Sequence, residues 1–167
     1  MKKIIYLLLI ATVICSLIGC TILSRDSNTN KYIKRKINVD ISDCNIIVDN
    51  YKKGFFGDGD YFVKANCSNN SENMIKQLSS WKQLPLSENL QLIMYGGKKG
   101  NVYYSYDFAK KAGIPEIKNG LYLFIDRHDE SKDKYSDKYL FTRSSHNFTI
   151  AMYDLDSNIL YYYEDDS

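Results

Sequence analysis

Apolar side chains return at every second position in six separate runs of this chain. They are Cys44, Ile46, Val48; Tyr61, Val63, Ala65, Cys67; Leu90, Leu92, Met94; Leu121, Leu123, Ile125; Phe148, Ile150, Met152; and Leu160 with Tyr162. Side chains alternate between the two faces of a strand, so each run predicts a strand with one apolar face. Their β-branched and aromatic content agrees. Two stretches carry a helical spacing instead. Asn70 to Lys82 places Met74, Ile75, Leu78 and Trp81 on one stripe, with Asn69 or Ser71 as cap. A shorter helix is expected from Tyr106 to Ala112, with Ser105 before it, Gly113 after it and Pro115 beyond. The order β-β-α-β-α-β-β-β predicts an α+β fold: a mainly antiparallel sheet of about six strands, one principal helix and one short helix. With 167 residues, 44% hydrophobic and 25% charged, the chain can bury one real core and is neither disordered nor collagen-like.

The N-terminus is built differently. Met1-Lys2-Lys3 is positive, Ile4 to Ile18 is almost wholly apolar, and Leu17-Ile18-Gly19-Cys20 follows. A stretch of this length suits a signal peptide better than a membrane span, which needs about 20 residues. The last four residues resemble the lipobox of bacterial lipoproteins. That resemblance implies a thiol carrying a diacylglycerol at Cys20 and cleavage just before it, hence acyl chains such as palmitate holding the protein to the membrane. The organisation implied is a signal peptide at 1–19, a lipidated cysteine with a polar and basic tether at 20–36, and one globular α+β domain at 37–167. The expected location is the cell membrane, lipid-anchored, facing outside the cytoplasm. Losing Lys2 and Lys3 leaves 20 basic against 20 acidic side chains, a balance that excludes nucleic acid as a partner. Lys31-Tyr32-Ile33-Lys34-Arg35-Lys36 leaves two readings open: a cluster lying on anionic lipid, or the solvated start of the first strand.

Two cysteines have matching positions. A symmetric hairpin around Tyr51 to Asp60 pairs residues whose numbers sum to about 111, and Cys44 with Cys67 meets that sum on one face. Export permits oxidation, so a disulfide is expected there.

The connection Gly54-Phe55-Phe56-Gly57-Asp58-Gly59 combines backbone freedom with two aromatic side chains, and reads equally as a binding loop or as a bulged hairpin folded back on the core. Together with Trp81-Lys82-Gln83-Leu84-Pro85-Leu86, Ile114 to His128, Asn147-Phe148-Thr149 and the tyrosine-rich end, it resembles a family of small uncharacterised bacterial proteins, often lipoproteins. The resemblance implies a coherent domain over most of the mature chain and no particular activity.

His128, within Asp126-Arg127-His128-Asp129-Glu130, and His146, after Ser144-Ser145, are the two histidines. A Ser-His-Asp set can be assembled from Ser144 or Ser145, His128 and Asp126, but no G-x-S-x-G elbow accompanies it, and a solvated charge cluster is the simpler expectation. No metal or cofactor is expected, since no ligand spacing is present. Asp154 to Asn158 reads as a hairpin turn rather than a calcium loop, because Ile159 stands where that loop needs glycine. The tyrosines at 103, 104, 106 and 161–163 read as strand-face fillers or an interaction surface, and Glu164-Asp165-Asp166 as a solvated tail. The function expected is a protein-binding lipoprotein that meets an envelope or secreted protein, with a toxin-immunity lipoprotein or an envelope hydrolase using His128 or His146 as alternatives.

Overall fold

The structure, a computed structural model, describes residues 28–53 and 58–167. Cys20 with its lipobox, and Gly54, Phe55, Phe56 and Gly57, lie outside the described residues. The chain divides into two compact units, one reaching Ser42 and one spanning Asp43–Ser167.

The first unit is helical over residues 28–37 (α1), so the strand-start reading of 31–36, one of the two left open, is corrected to helix. Thr29, Ile33 and Ile37 are buried and recur every fourth residue, the spacing of one helix face. The helix stops at Asn38, whose φ of 57° is the left-handed conformation asparagine tolerates at a helix end. The chain then returns, with Asn30 Oδ1 accepting from the Ile41 amide at 2.8 Å and Lys34 bridging Asp40 at 2.7 Å.

In the second unit the elements follow as β1 (Asn45–Lys53), β2 (Gly59–Asn66), α2 (Ser71–Gln77), β3 (Lys82–Gln83), α3 (Glu88–Tyr95), β4 (Gly97–Lys99), β5 (Val102–Tyr104), α4 (Phe108–Ala112), β6 (Gly120–Asp126), β7 (Asn147–Asp154) and β8 (Ile159–Asp166). Six strands form one sheet in the order β1-β2-β8-β7-β6-β3, with β4-β5 a separate two-stranded sheet. All pairings are antiparallel. The α+β architecture therefore holds, with more helices than the two expected.

β7 and β8 are central strands buried over six consecutive residues. That explains the run Leu160-Tyr161-Tyr162-Tyr163, since a strand covered on both faces reads as continuously apolar rather than alternating. One face carries Phe62, Tyr122, Phe124, Phe148, Ile150, Met152, Tyr161 and Tyr163 in the core, together with Leu90, Ile93 and Met94 of α3 and Leu140 of the β6–β7 connection. The opposite face buries Val63, Ala65, Ala151, Tyr153, Leu160 and Tyr162. Tyr162 sits across from Val63 and Ala151, small neighbours that leave room for its ring. Tyr161, Tyr162 and Tyr163 are thus core residues, not surface ones.

Cys44 and Cys67 are joined, with a Cα separation of 4.3 Å. The sum of 111 holds for Asn45↔Asn66 and Ile46↔Ala65, but a bulge shifts it to 112 from Val48↔Lys64 onward. The extra residue, Ile47, is half exposed, and the slip turns Ile46 and Val48 to opposite faces. Their expected shared face is corrected accordingly.

Leu90, Leu92 and Met94 lie in α3, not in a strand. Leu90, Ile93 and Met94 face the core at i, i+3 and i+4, and Leu92 is buried on their flank. Ser87 caps the helix by accepting from the Leu90 amide at 3.3 Å. Gly96 ends it at φ 73°, where an added Cβ would sit 2.7 Å from the Tyr106 carbonyl oxygen. The helix expected over 70–82 is shorter, with Asn70 as its N-cap. Trp81 reaches the interior from the following turn, its amide donating to the Leu78 carbonyl. Asp107, not Ser105, precedes α4, while Gly113 closes it in the left-handed conformation as expected.

Candidate functional site

Between β6 and β7 the chain runs through residues 127–146 without a regular strand or helix. A connection of that length without its own secondary structure is uncommon in a compact domain and is frequently functional. It is held by charge. Asp126, at the end of β6, and Arg143 are both nearly fully buried, and Arg143 Nη1 lies 2.8 Å from each Asp126 oxygen. Asp126 Oδ1 also accepts from the His128 amide at 3.2 Å. Arg127 donates from Nη2 to the carbonyls of Phe148 and Asp165 and from Nη1 to Asp166 at 2.7 Å. It thereby ties the connection to β7 and to the end of β8.

These contacts bring Ser145 Oγ within 3.3 Å of His128 Nε2. The other ring nitrogen, Nδ1, accepts from the Glu130 amide at 3.2 Å. An Nδ1 that accepts leaves the proton of the neutral ring on Nε2, so His128 donates to Ser145 and does not take its proton. Asp126 faces Arg143, not the imidazole. Ser145, His128 and Asp126 therefore share a neighbourhood without the polarity of a nucleophilic triad, in which the carboxylate binds Nδ1–H and Nε2 accepts.

His146 stands beside an aromatic shelf. Its Nε2 is 3.1 Å from the Tyr106 hydroxyl, and the two rings meet edge to face. Tyr106 stacks on Phe108 and Phe141, and Phe141 packs on Tyr104 at 4.5 Å. Nδ1 of His146 is buried without a hydrogen-bond partner. Burial first, then the nearby His128 and Arg143, lowers its pKa. An open cavity of about 340 Å³ lies against the connection, lined by Glu130, Lys132, Tyr139, Thr142 and Arg143.

A second polar cluster crosses the same end of the sheet. The register sets Lys52, Asp60, Asp165 and Phe148 side by side on β1, β2, β8 and β7. Asp60 Oδ1 accepts from the Tyr163 hydroxyl at 2.8 Å. Asp165 is 5% exposed, which corrects the solvated tail expected at 164–166. Burial first, then the charge of Asp60 and a hydrogen bond to it, pushes Asp165 up to about 7. Burial first, then the hydrogen bond to Asp60, also raises Tyr163. Glu164, on the opposite face, is buried and accepts from the hydroxyls of Tyr162 and Thr149.

Of the loop 54–59, the described residues are Asp58, which is exposed, and Gly59, the first residue of β2. Among the described residues Tyr103 is the most exposed large hydrophobic one, at 76%, with Val102 at 54% beside it on the β4–β5 hairpin. Asp154 accepts from Ser157 at the turn into β8, and Asn158 completes that turn at φ 54°. Sequence reasoning missed the Asp126–Arg143 pair, whose members lie 17 residues apart with no periodic relation. The Asp60–Asp165 pair had a signal, because Asp165 shares the parity of Tyr161 and Tyr163.

Among the described residues no three His, Cys, Asp or Glu side chains converge as a metal site, and no helix is long and apolar enough to cross a membrane. No family model matches the chain, and neither a curated protein nor a solved structure matches it.

Proposed function

We propose that this chain is an exported, lipid-anchored α+β domain that binds another envelope or secreted protein outside the cytoplasm. The observation that carries the reading is the Cys44–Cys67 bond. A disulfide between neighbouring strands persists in an oxidising compartment, which is where the Leu17-Ile18-Gly19-Cys20 box would deliver the chain. Binding is supported by Val102 and Tyr103, whose apolar surface is left to solvent on a hairpin outside the main sheet. Tyrosine supplies large contact area at small entropic cost and is a common interface anchor. The polarity of the Ser145–His128 contact supports binding over hydrolysis.

Anchoring is tested by feeding the producing cells an alkyne-bearing palmitate. The full chain takes up label and its Cys20→Ala variant takes up none; label retained in the variant refutes acylation at Cys20. Binding is tested with a photo-crosslinking side chain at Tyr103 and, separately, at Ile75 on α2, another exposed apolar position. One protein joined from position 103 and not from 75 supports the reading, and identical adducts from both sites refute a hairpin contact.

A further inference from the structure

Charge is distributed unevenly along the chain. Residues 28–42 carry four basic side chains, Lys31, Lys34, Arg35 and Lys36, against Asp40 alone, whereas residues 43–167 carry 15 basic against 18 acidic. The excess of positive charge falls on α1, and the helix sorts it by face. Thr29, Ile33 and Ile37 are the buried stripe. At about 100° per residue, Lys31 and Arg35 each lie within about 20° of the direction opposite Ile33. Both are exposed. Lys34, on the flank, is committed to Asp40, and Arg35 lies over the Tyr32 ring at 5.4 Å without losing its exposure. The outer face of α1 is therefore a cationic ridge.

We propose that this ridge, centred on Lys31 and Arg35, docks on the anionic headgroups of the bilayer that holds the protein. The inference rests on the lipid-anchor reading and deepens it. Seven residues lie between Cys20 and Asn28, the first described residue of α1, and eight fully extended Cα-to-Cα steps span at most about 28 Å. A tether so short converts docking into an intramolecular step at an effective concentration in the millimolar range. Weak electrostatics then suffices. Each basic residue at an anionic surface shifts the balance about fivefold, so Lys31 and Arg35 together favour the docked state about 25-fold over a neutral surface. The attraction acts within a Debye length of about 8 Å at physiological salt.

The test reconstitutes the full acylated chain in vesicles of phosphatidylcholine alone or mixed with phosphatidylglycerol. Amine labelling is read lysine by lysine by mass spectrometry. Lys31 is expected to label at least fivefold more slowly on the anionic vesicles, and to recover in about 0.5 M NaCl, where the Debye length is only a few ångströms. Lys98, exposed on β4, serves as the internal reference and keeps one rate throughout. Substituting Arg35→Gln weakens the protection of Lys31 about fivefold without touching the buried face. Equal labelling of Lys31 on both vesicle types, with the chain floating with lipid and carrying its acyl mass, overturns the proposal and leaves the anchor reading intact. Absence of the acyl mass overturns the anchor reading and, with it, the docking.

Discussion

Replacing Arg143 by methionine, which keeps much of the side-chain volume and removes the charge, isolates what the buried ion pair does for the β6–β7 connection. Asp126 is 3% and Arg143 7% exposed at the side chain, so neither charge is solvated in the fold. Once the guanidinium is gone, the Asp126 carboxylate keeps only the His128 backbone amide among the donors described above. Breaking one partner of a buried pair costs about 3–5 kcal/mol, because the other charge stays uncompensated. For a chain of this size each kcal/mol moves the melting midpoint by roughly 2–4 °C, so R143M should melt about 6–20 °C lower. Trp81, the single tryptophan and a buried one, reports urea unfolding by its fluorescence. Asp126→Leu alone should cost a similar amount by stranding Arg143, and the double variant should recover about 2 kcal/mol or more of the summed losses, a coupling typical of residues in contact. If R143M costs under about 1 kcal/mol, as a surface pair would, or if the two single effects simply add, the pair does not organise the connection. Loss of the pair should also release Ser145 from His128, which a shift of the imidazole proton resonances would register.

Reducing the Cys44–Cys67 bond, or replacing both cysteines with serine, opens a 24-residue loop and should lower stability by about 3 kcal/mol in the chain-entropy account; equal urea midpoints with and without reductant would refute it. Asp165 is raised to about 7, so the folded state keeps a proton that the unfolded chain releases. Its contribution is complete below about pH 4 and is lost as pH rises to about 7, by no more than about 4 kcal/mol, and Asp165→Asn should flatten that slope. His146 acts in the other direction: its lowered pKa favours the neutral ring, so stability falls as pH drops below about 6.5. His146→Gln should remove that acid limb, as read from melting midpoints across pH. Gly120→Ala places a Cβ 2.4 Å from the Tyr153 carbonyl oxygen and should cost about 1–3 kcal/mol by overpacking, measured by the same urea titration.

Strands were legible where one period held without interruption and illegible where two patterns coincided. Leu121, Leu123 and Ile125 alternate and occupy β6. Leu90, Leu92 and Met94 alternate as well, yet Leu90, Ile93 and Met94 also satisfy the helical spacing, and a single Ile93 decides between them. The deciding signs lay at the ends, Ser87 before the segment and Gly96 after it, where an N-cap and a helix stop stand. The register sum of 111 placed the disulfide because Cys44 and Cys67 lie beyond the bulge at Ile47; the same sum fails on the loop side of that bulge, where one inserted residue reverses every face. Burial of Asp165 and Glu164 was hidden by composition. Acidic residues at a chain end read as solvated, but β8 is paired on both sides to its last residues, and that pairing carries charges inside. The contact of Ser145 with His128 depends on the fold of a 20-residue connection, for which no period exists to be read.

Over residues 28–167, 19 basic side chains stand against 19 acidic ones, a balance that excludes long-range steering of a polyanion, because that field is summed over the whole molecule. It does not bear on a helix tethered close to a bilayer. Screening limits the surface interaction to about 8 Å at physiological salt, so only charges within that distance count, and a balanced total conceals them. Here the balance is the sum of a positive residues 28–42 and a negative residues 43–167. Folding sharpens the contrast, since α1 buries Ile33 and turns Lys31 and Arg35 outward, whereas an extended strand start would place Lys31 and Arg35 on the same face as Ile33. The helix at 28–37 removes the strand start as an account of this cluster. Salt dependence of Lys31 labelling, set against the salt independence expected of acyl insertion, then distinguishes electrostatic docking from hydrophobic anchoring in one preparation.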